Sequence, residues 1–218
     1  MRTNPFNEAF AFLIGTSSFH KEAGFQSIFM VPLFWALLIA SVLIARRNWL
    51  DDPSQRTTQH MAIWFIRVMI GVMWFEGSVW KLPLPISGGF AFWVDEMGKH
   101  AAFDIHRTVV ESVYKPLLFL INPLVFLTEL SMAASYMLGF AVRLFGVIGM
   151  AFAFHLYLGL YRHPGEWPWS FIFLVFVQGF FVLLAAGRSL GLDALLRQST
   201  SGFLSERSTI GQWYRRAS

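Results

Sequence analysis

The sequence predicts an all-α integral membrane protein with five transmembrane helices (five spans) and an amphipathic helix on the membrane surface. Of the 218 residues, 56% are hydrophobic and only 14% are charged. A soluble chain is typically about half apolar and about a quarter charged. The mean hydropathy is +0.52, and several stretches approach the ~20 apolar residues that cross a bilayer as a helix. The excess apolar surface therefore faces lipid.

Each predicted span is a largely apolar run that stops at charge, glycine or proline. The first run carries no charge and is followed by Arg46 and Arg47. The third and fourth runs are too long together for one helix, and Gly139 marks a turn between them, so they form an antiparallel hairpin. The five predicted spans are residues 25–44, 62–80, 116–138, 144–160 and 169–186.

The remaining segments are more polar. Residues 88–114 cannot span, yet apolar residues recur along them, which predicts an amphipathic helix on the bilayer surface. We expect three parts: an N-terminal segment with the extra helix (1–60), a membrane domain (61–197) and a polar cytoplasmic tail (198–218). Because the only aromatic groups of the tail are Phe203, Trp213 and Tyr214, its ordering should require another chain or lipid headgroups.

Charge and cysteine content exclude several functions. The basic residues are spread among loops and form no stripe, so nucleic acid is not an expected partner. Their distribution, with Arg143 alone in the tightest loop, places the C-terminus in the cytoplasm and the N-terminus outside a bacterial inner (cytoplasmic) membrane. The sequence contains no cysteine, which excludes disulfides, thiolate zinc, iron–sulfur clusters and c-type haem. A redox function would need a diffusible or noncovalent carrier.

Polar residues inside the spans are the candidate site, because an ionisable side chain in hydrocarbon costs free energy and usually faces protein or a wet cavity. Arg67, Glu129, His155 and Gln178 each lie on a different span at overlapping depths. Glu129 and His155 are equally far from the hairpin turn, so we expect them within hydrogen-bond or one-water reach. The helical period places Arg67 on the buried face of its span and Glu76 on the opposite face.

Two interpretations of this polar cluster remain open. Interhelical hydrogen bonds are a common adhesive in membranes, worth under about 2 kcal/mol each, so the cluster could be structural. Alternatively it binds a quinone, whose carbonyls accept protons and hydrogen bonds. The catalytic candidates, which would polarise or protonate a carbonyl, are Arg67, Glu129 and His155. The candidates for binding the cofactor are Trp74, Tyr136 and Gln178.

Neither haem nor a metal ion is expected. His155 is the only histidine deep in a span, whereas bis-histidine haem needs two. The histidines of the outer segments lack close ligand spacing in the sequence, so solvated loop residues are the better interpretation of them. These outer histidines are His20, His100 and His106, with His163 at the end of a span.

Three motifs resemble the DoxX family of small membrane proteins, which includes the DoxD-like membrane subunit of thiosulfate:quinone oxidoreductase. GRSLGLDALL at residues 187–196 is similar to the closing motif of that family. RVMIGVMWFEGSVWKL at 67–82 resembles its opening helix, and TELSMAASYMLGFAVRLFG at 128–146 resembles its middle hairpin of glutamate, glycine and arginine. The resemblance covers about residues 61–196, so the first span is one extra N-terminal transmembrane helix beside the DoxX-like four-helix transmembrane bundle.

The resemblance implies a four-helix membrane bundle, often a subunit of a larger complex. In the thiosulfate-oxidising member it implies electron delivery from a sulfur compound to membrane quinone, with a second, mostly extracytoplasmic subunit. The expected function is therefore a membrane subunit of a quinone-linked oxidoreductase complex. The alternative is a non-catalytic accessory subunit of a respiratory or photosynthetic membrane complex. A transporter is less supported, since neither inverted repeats nor broken helices are visible. Expected partners are other subunits, lipid and quinone.

Overall fold

The computed structural model describes residues 4–198 and 208–218. Within these residues the regular structure is entirely helical, with no β-strand. This confirms the predicted all-α class. The helices are α1 Pro5–Leu13, α2 Ser18–Glu22, α3 Ser27–Asp51, α4 Thr58–Val79, α5 Gly88–His100, α6 Asp104–Val109, α7 Leu118–Leu138, α8 Val142–Gly159, α9 Pro168–Leu183, α10 Leu192–Gln198 and α11 Thr209–Ala217.

Four of the described helices are long and apolar enough to cross a membrane, so the chain is a multi-pass membrane protein. They are Gly24–Asp51, which includes α3 and the turn before it, and the helices α4, α7 and α8. The fifth predicted span is shorter than expected: α9 has 16 residues, about 24 Å at 1.5 Å per residue. It ends at Leu183 because Ala185 adopts a left-handed backbone conformation, with φ of 47°.

The predicted surface helix is broken into pieces. Helix α5 begins after Ser87, whose hydroxyl accepts a hydrogen bond from the backbone N–H of Phe90 at 3.0 Å, the usual role of an N-cap serine. The chain then leaves helical geometry after His100, resumes as α6 and continues as a π-helical turn at Val110–Tyr114. Helix α5 is amphipathic as predicted, since its residues Phe90, Val94 and Met97 are buried.

The chain divides into two compact units. The first comprises the described residues up to Ala36 together with Phe75–Leu130 and Leu158–Glu166. In this unit the aromatic rings of Phe12 and Phe34 meet edge to face at 5.3 Å. Helix α1 is further held by the indole N–H of Trp35, which donates to the carbonyl of Leu13 at 2.9 Å.

The second unit comprises Leu37–Trp74, Ser131–Tyr157 and the described residues from Trp167 onward. This unit includes α11, which packs against residues of the same chain. The expectation that ordering the tail requires another chain or lipid headgroups is therefore wrong for this helix. The ring of Tyr214 is buried and stacks on Phe140 with centroids 5.7 Å apart. Trp213 stays exposed. The segment 199–207 of the predicted tail, with Phe203, lies outside the described residues.

Candidate functional site

In the first unit, Lys81 and Glu129 form a buried ion pair. The Nζ atom of Lys81 lies 2.8 Å and 2.7 Å from the two carboxylate oxygens of Glu129, and the two side chains are only 3% and 4% exposed. Lys81 also donates to the carbonyl of Gly77 at 2.9 Å and lies over the ring of Trp80. The charge partner of Glu129 is therefore Lys81, just beyond the end of α4, which was not among the predicted site residues.

Glycine and asparagine shape the surroundings of this pair. A Cβ atom on Gly77 would lie 3.3 Å from a carboxylate oxygen of Glu129, so a residue without a side chain lets α7 come close. The side-chain amide of Asn122 donates to the carbonyls of Lys81 and Pro85, each at 3.0 Å. The backbone just beyond α4 is thus tied to α7.

In the second unit, Arg67 is fully buried, as its position on α4 predicted. Its guanidinium donates to the backbone carbonyl of Tyr136 and to that of Ser189, the latter at 3.4 Å. The Nε atom of Arg67 is buried and has no hydrogen-bond partner within the described chain. Such an unsatisfied buried donor calls for an explanation, for instance a water molecule or ligand.

Asp193 supplies a negative charge close to Arg67 and caps α8. Its carboxylate accepts hydrogen bonds from the backbone N–H groups of Ala141 at 2.7 Å and Val142 at 3.2 Å, which are free donors at a helix start. The hydroxyl of Tyr214 donates to the same carboxylate at 2.5 Å. Burial raises the pKa of Asp193, while these three hydrogen bonds and the charge of Arg67 act in the opposite direction. Sequence reasoning missed Asp193 although it lies inside the closing motif.

The glycines of the closing motif and of the hairpin make this arrangement possible. Gly139 has a φ of 72°, and a Cβ atom there would lie 2.6 Å from an Nη atom of Arg67. A Cβ atom on Gly187 would collide with the carboxylate of Asp193, and one on Gly191 with the carbonyl of Gly187. The motif therefore encodes close backbone approach around Arg67 and Asp193.

A second polar group in this unit joins Trp74, Tyr136 and Gln178. The side-chain carbonyl of Gln178 accepts from the indole N–H of Trp74 at 3.2 Å and lies 2.8 Å from the hydroxyl of Tyr136. That hydroxyl is also 2.9 Å from the carbonyl of Phe145, so its single proton has two acceptors within reach. The three predicted cofactor-binding residues are thus joined through Gln178, and the backbone carbonyl of Tyr136 connects them to Arg67.

The predicted site is only partly assembled by these contacts. Glu129 belongs to the first unit and is paired with Lys81, whereas His155 belongs to the second. Their predicted approach to each other stays a prediction. Glu76 is exposed, as its position opposite Arg67 implied.

An apolar groove of about 660 Å³ lies in the second unit between α11 and the start of α8. Phe140, Leu144, Phe145 and Trp213 supply much of its wall, and Arg143 and Tyr214 also line it. Its volume falls within the ~300–1,000 Å³ typical of small-ligand pockets.

Two outer histidines are closer together than the sequence spacing suggested. The rings of His100 and His163 have centroids 5.0 Å apart, and Glu96 lies between them. Sequence spacing alone did not indicate this approach, because the two histidines come from segments far apart in the chain.

Fold and site together define a multi-pass helical membrane protein with buried charges next to glycine-rich turns. Residues 63–210 match the family described as TQO small subunit DoxD, where TQO stands for thiosulfate:quinone oxidoreductase. The match covers well over half of the chain, and the chain belongs to this family. This confirms the DoxD-like resemblance and extends it beyond residue 196 into α11. No curated protein and no solved structure gives a significant match.

Proposed function

We propose that this chain is a membrane subunit of a thiosulfate:quinone oxidoreductase-type complex, in which two electrons from a sulfur compound and two protons convert membrane quinone to quinol. The observation that carries this proposal is the family match over residues 63–210. In this proposal, oxidation of the sulfur compound belongs to a partner subunit. This chain then provides the membrane anchor and the quinone environment.

We place the quinone ring in the groove beside α11. The groove is apolar and aromatic, as a quinone ring requires, and Tyr214 is one of the residues that line it. Tyr214 is hydrogen-bonded to Asp193, and Asp193 interacts electrostatically with buried Arg67. These contacts form a polar connection from the groove wall to the interior of the unit, along which a proton can be held close to a quinone carbonyl.

The predicted site residues Trp74, Tyr136 and Gln178 are connected to the groove through Phe145. The hydroxyl of Tyr136 lies 2.9 Å from the carbonyl of Phe145, and Phe145 lines the groove. Trp74 and Gln178 fix the position of Tyr136 through the hydrogen bonds described above. Arg67, whose Nε atom lacks a partner in the described residues, offers one more buried donor.

Glu129 and His155 complete the proposed set as proton donors and acceptors. As a paired carboxylate held by Lys81, Glu129 accepts hydrogen bonds at both oxygens. The proposal gives these two residues a role in proton supply.

An accessory, non-catalytic subunit is the second candidate function. It is favoured by the pairing of several buried polar groups, since Lys81 with Glu129 and Gln178 with its two neighbours already hydrogen-bond one another without a ligand. Helix α3 also presents large exposed apolar side chains, which a neighbouring subunit or lipid would cover. These include Ile28, Phe29 and Leu43.

Purification of the native complex through this chain, followed by mass spectrometry of partners and an assay of thiosulfate-dependent quinone reduction, tests the proposal. Tyr214→Phe removes the hydroxyl at the groove wall and should lower the rate of quinone reduction by about 10²-fold, the lower end of general acid–base contributions. Tyr161→Phe, at an exposed tyrosine of the first unit, is the matched control and should retain the wild-type rate.

The outcomes separate the two functions. An assembled complex that reduces no quinone with thiosulfate would disprove the oxidoreductase proposal. A complex whose activity is untouched by Tyr214→Phe and Tyr136→Phe would place the quinone elsewhere and leave the accessory function.

A further inference from the structure

The first unit contains a cluster of two histidines and one glutamate that the proposed function does not use. Glu96 and His100 are four residues apart on α5, which puts both side chains on the same face of the helix. His163 reaches them from the segment that follows α8. One ligand atom from each of the three residues lies within 4.8 Å of the other two.

The spacing of these atoms suits a tetrahedral metal site. One carboxylate oxygen of Glu96 lies 3.3 Å from Nε2 of His100 and 3.4 Å from Nε2 of His163. Ligands placed about 2.1 Å from a tetrahedral ion are separated by about 3.4 Å. Two of the three ligand separations therefore already match, and the third, between the two histidines, is within 4.8 Å.

We propose that Glu96, His100 and His163 bind one divalent transition-metal ion, with Zn²⁺ as the ion that fits their chemistry. Two imidazole nitrogens and one carboxylate are borderline ligands that suit Zn²⁺, whereas Mg²⁺ and Ca²⁺ prefer oxygen. Three protein ligands leave the fourth position to water or another exchangeable ligand.

The surroundings hold the ligands in place. Lys99 donates to the other carboxylate oxygen of Glu96 at 2.8 Å, which orients the carboxylate and leaves its second oxygen towards the histidines. The charge of Lys99 is balanced in turn by Asp95, 2.6 Å away. Such supporting contacts around metal ligands fix their orientation and tune affinity.

One existing contact must change when the ion binds. Nδ1 of His163 accepts a hydrogen bond from the backbone N–H of Gly165 at 3.2 Å. Coordination through Nε2 requires the proton on Nδ1, so this long hydrogen bond is given up. The metal would then join α5 to the segment after α8.

The three side chains are accessible to an ion from solvent, although most of the surface of each is buried. Their side-chain exposures are 12% for Glu96, 14% for His163 and 28% for His100. They also lie outside the candidate membrane-spanning helices.

Zinc titration of the purified full-length chain tests the site. The protein carries a purification tag without histidine, is reconstituted in nanodiscs and is freed of metal with a chelator. Calorimetric titration with ZnCl₂ should show one ion per chain, and X-ray absorption should show nitrogen and oxygen ligands at about 2.0–2.1 Å. The double variant His100→Ala/His163→Ala should lose more than the ~10–100-fold in affinity that supporting residues typically contribute.

Controls keep the test decisive. His106→Ala, at a histidine of α6 outside the cluster, should bind zinc like the wild type. Glu96→Gln keeps the size of the side chain, so it should weaken binding even if the double alanine variant fails to fold. Absence of saturable binding by the wild type, or wild-type affinity in Glu96→Gln, would overturn the proposal, whatever the oxidoreductase assay shows.

Discussion

Breaking the buried ion pair by Lys81→Met should be among the most destabilising single changes in the chain. The substitution keeps the length of the side chain but leaves the carboxylate of Glu129 unpaired at 4% side-chain exposure. Removing one partner of a buried pair typically costs about 3–5 kcal/mol, because the remaining charge is uncompensated. The lost contact of Lys81 with the ring of Trp80 adds about 0.5–2 kcal/mol.

The double variant Lys81→Met/Glu129→Met distinguishes the cost of an unpaired charge from the cost of altered packing. With no charge left to compensate, it should recover most of the stability lost in the single variant, since well-packed apolar replacements of buried pairs are often neutral. An exposed pair provides the matched control: Arg47 and Asp51 are four residues apart on α3, with side chains 71% and 56% exposed. Arg47→Met should cost no more than about 0.5 kcal/mol.

Equilibrium unfolding in mixed detergent micelles, followed by tryptophan fluorescence and circular dichroism, measures these free energies. The reasoning is refuted if Lys81→Met costs no more than Arg47→Met. It is equally refuted if the double variant is as unstable as the single one, because the loss would then come from packing and not from the unpaired charge.

Three further predictions concern other buried groups. Asp193→Ala removes the cap of α8 and a hydrogen bond to a charged group, so it should lower the free energy of unfolding by about 2–4 kcal/mol. A loss under about 0.5 kcal/mol would contradict the capping role. Gly187→Ala brings the added Cβ into collision with Asp193, so it should lower the free energy of unfolding by about 1–3 kcal/mol. The control Gly88→Ala, with no atom within 4 Å of the added Cβ, should leave that free energy unchanged. Equal melting temperatures of the two variants would show that position 187 tolerates a side chain. Burial lowers the pKa of His20 from its usual 6.5, so the unfolded chain binds more protons and stability is lost as the pH falls below about 6.5. The melting temperature of His20→Gln should therefore fall less between pH 7 and pH 5 than that of the wild type, and parallel curves would refute this.

The membrane spans were predictable because hydrocarbon imposes a minimum length on any apolar helix. The predicted spans 116–138 and 144–160 correspond to Leu118–Leu138 and Val142–Gly159. The end of the fifth span was not predictable, since it depends on the left-handed conformation of Ala185, and nothing in the alanine side chain signals such a conformation.

In the candidate site, burial could be predicted from the sequence but the partners of buried charges could not. Helical periodicity correctly placed Arg67 on the buried face, because that face follows from position along one helix. The partners of buried charges depend on which helices are neighbours, and one sequence does not contain that information. A signal for Lys81 did exist: it shares the face of Arg67, and the buried carboxylate of Glu129 needs a cation.

Contacts between distant segments were missed for the same reason. The approach of His163 to His100, and of Tyr214 to Asp193, joins segments that no periodic pattern relates. Within α11 the burial of Tyr214 beside exposed Trp213 also depends on how the helix is rotated against Phe140.

Cross-linking with a photoreactive quinone most directly tests the central claim that this chain provides the quinone environment of a thiosulfate:quinone oxidoreductase-type complex. The purified complex is illuminated with the probe and the labelled peptides are identified by mass spectrometry, with unlabelled quinone as competitor. The account predicts competed labels on the peptides lining the groove, around Phe145 and Tyr214. Labels found only on partner subunits, with this chain present and unlabelled, would contradict it.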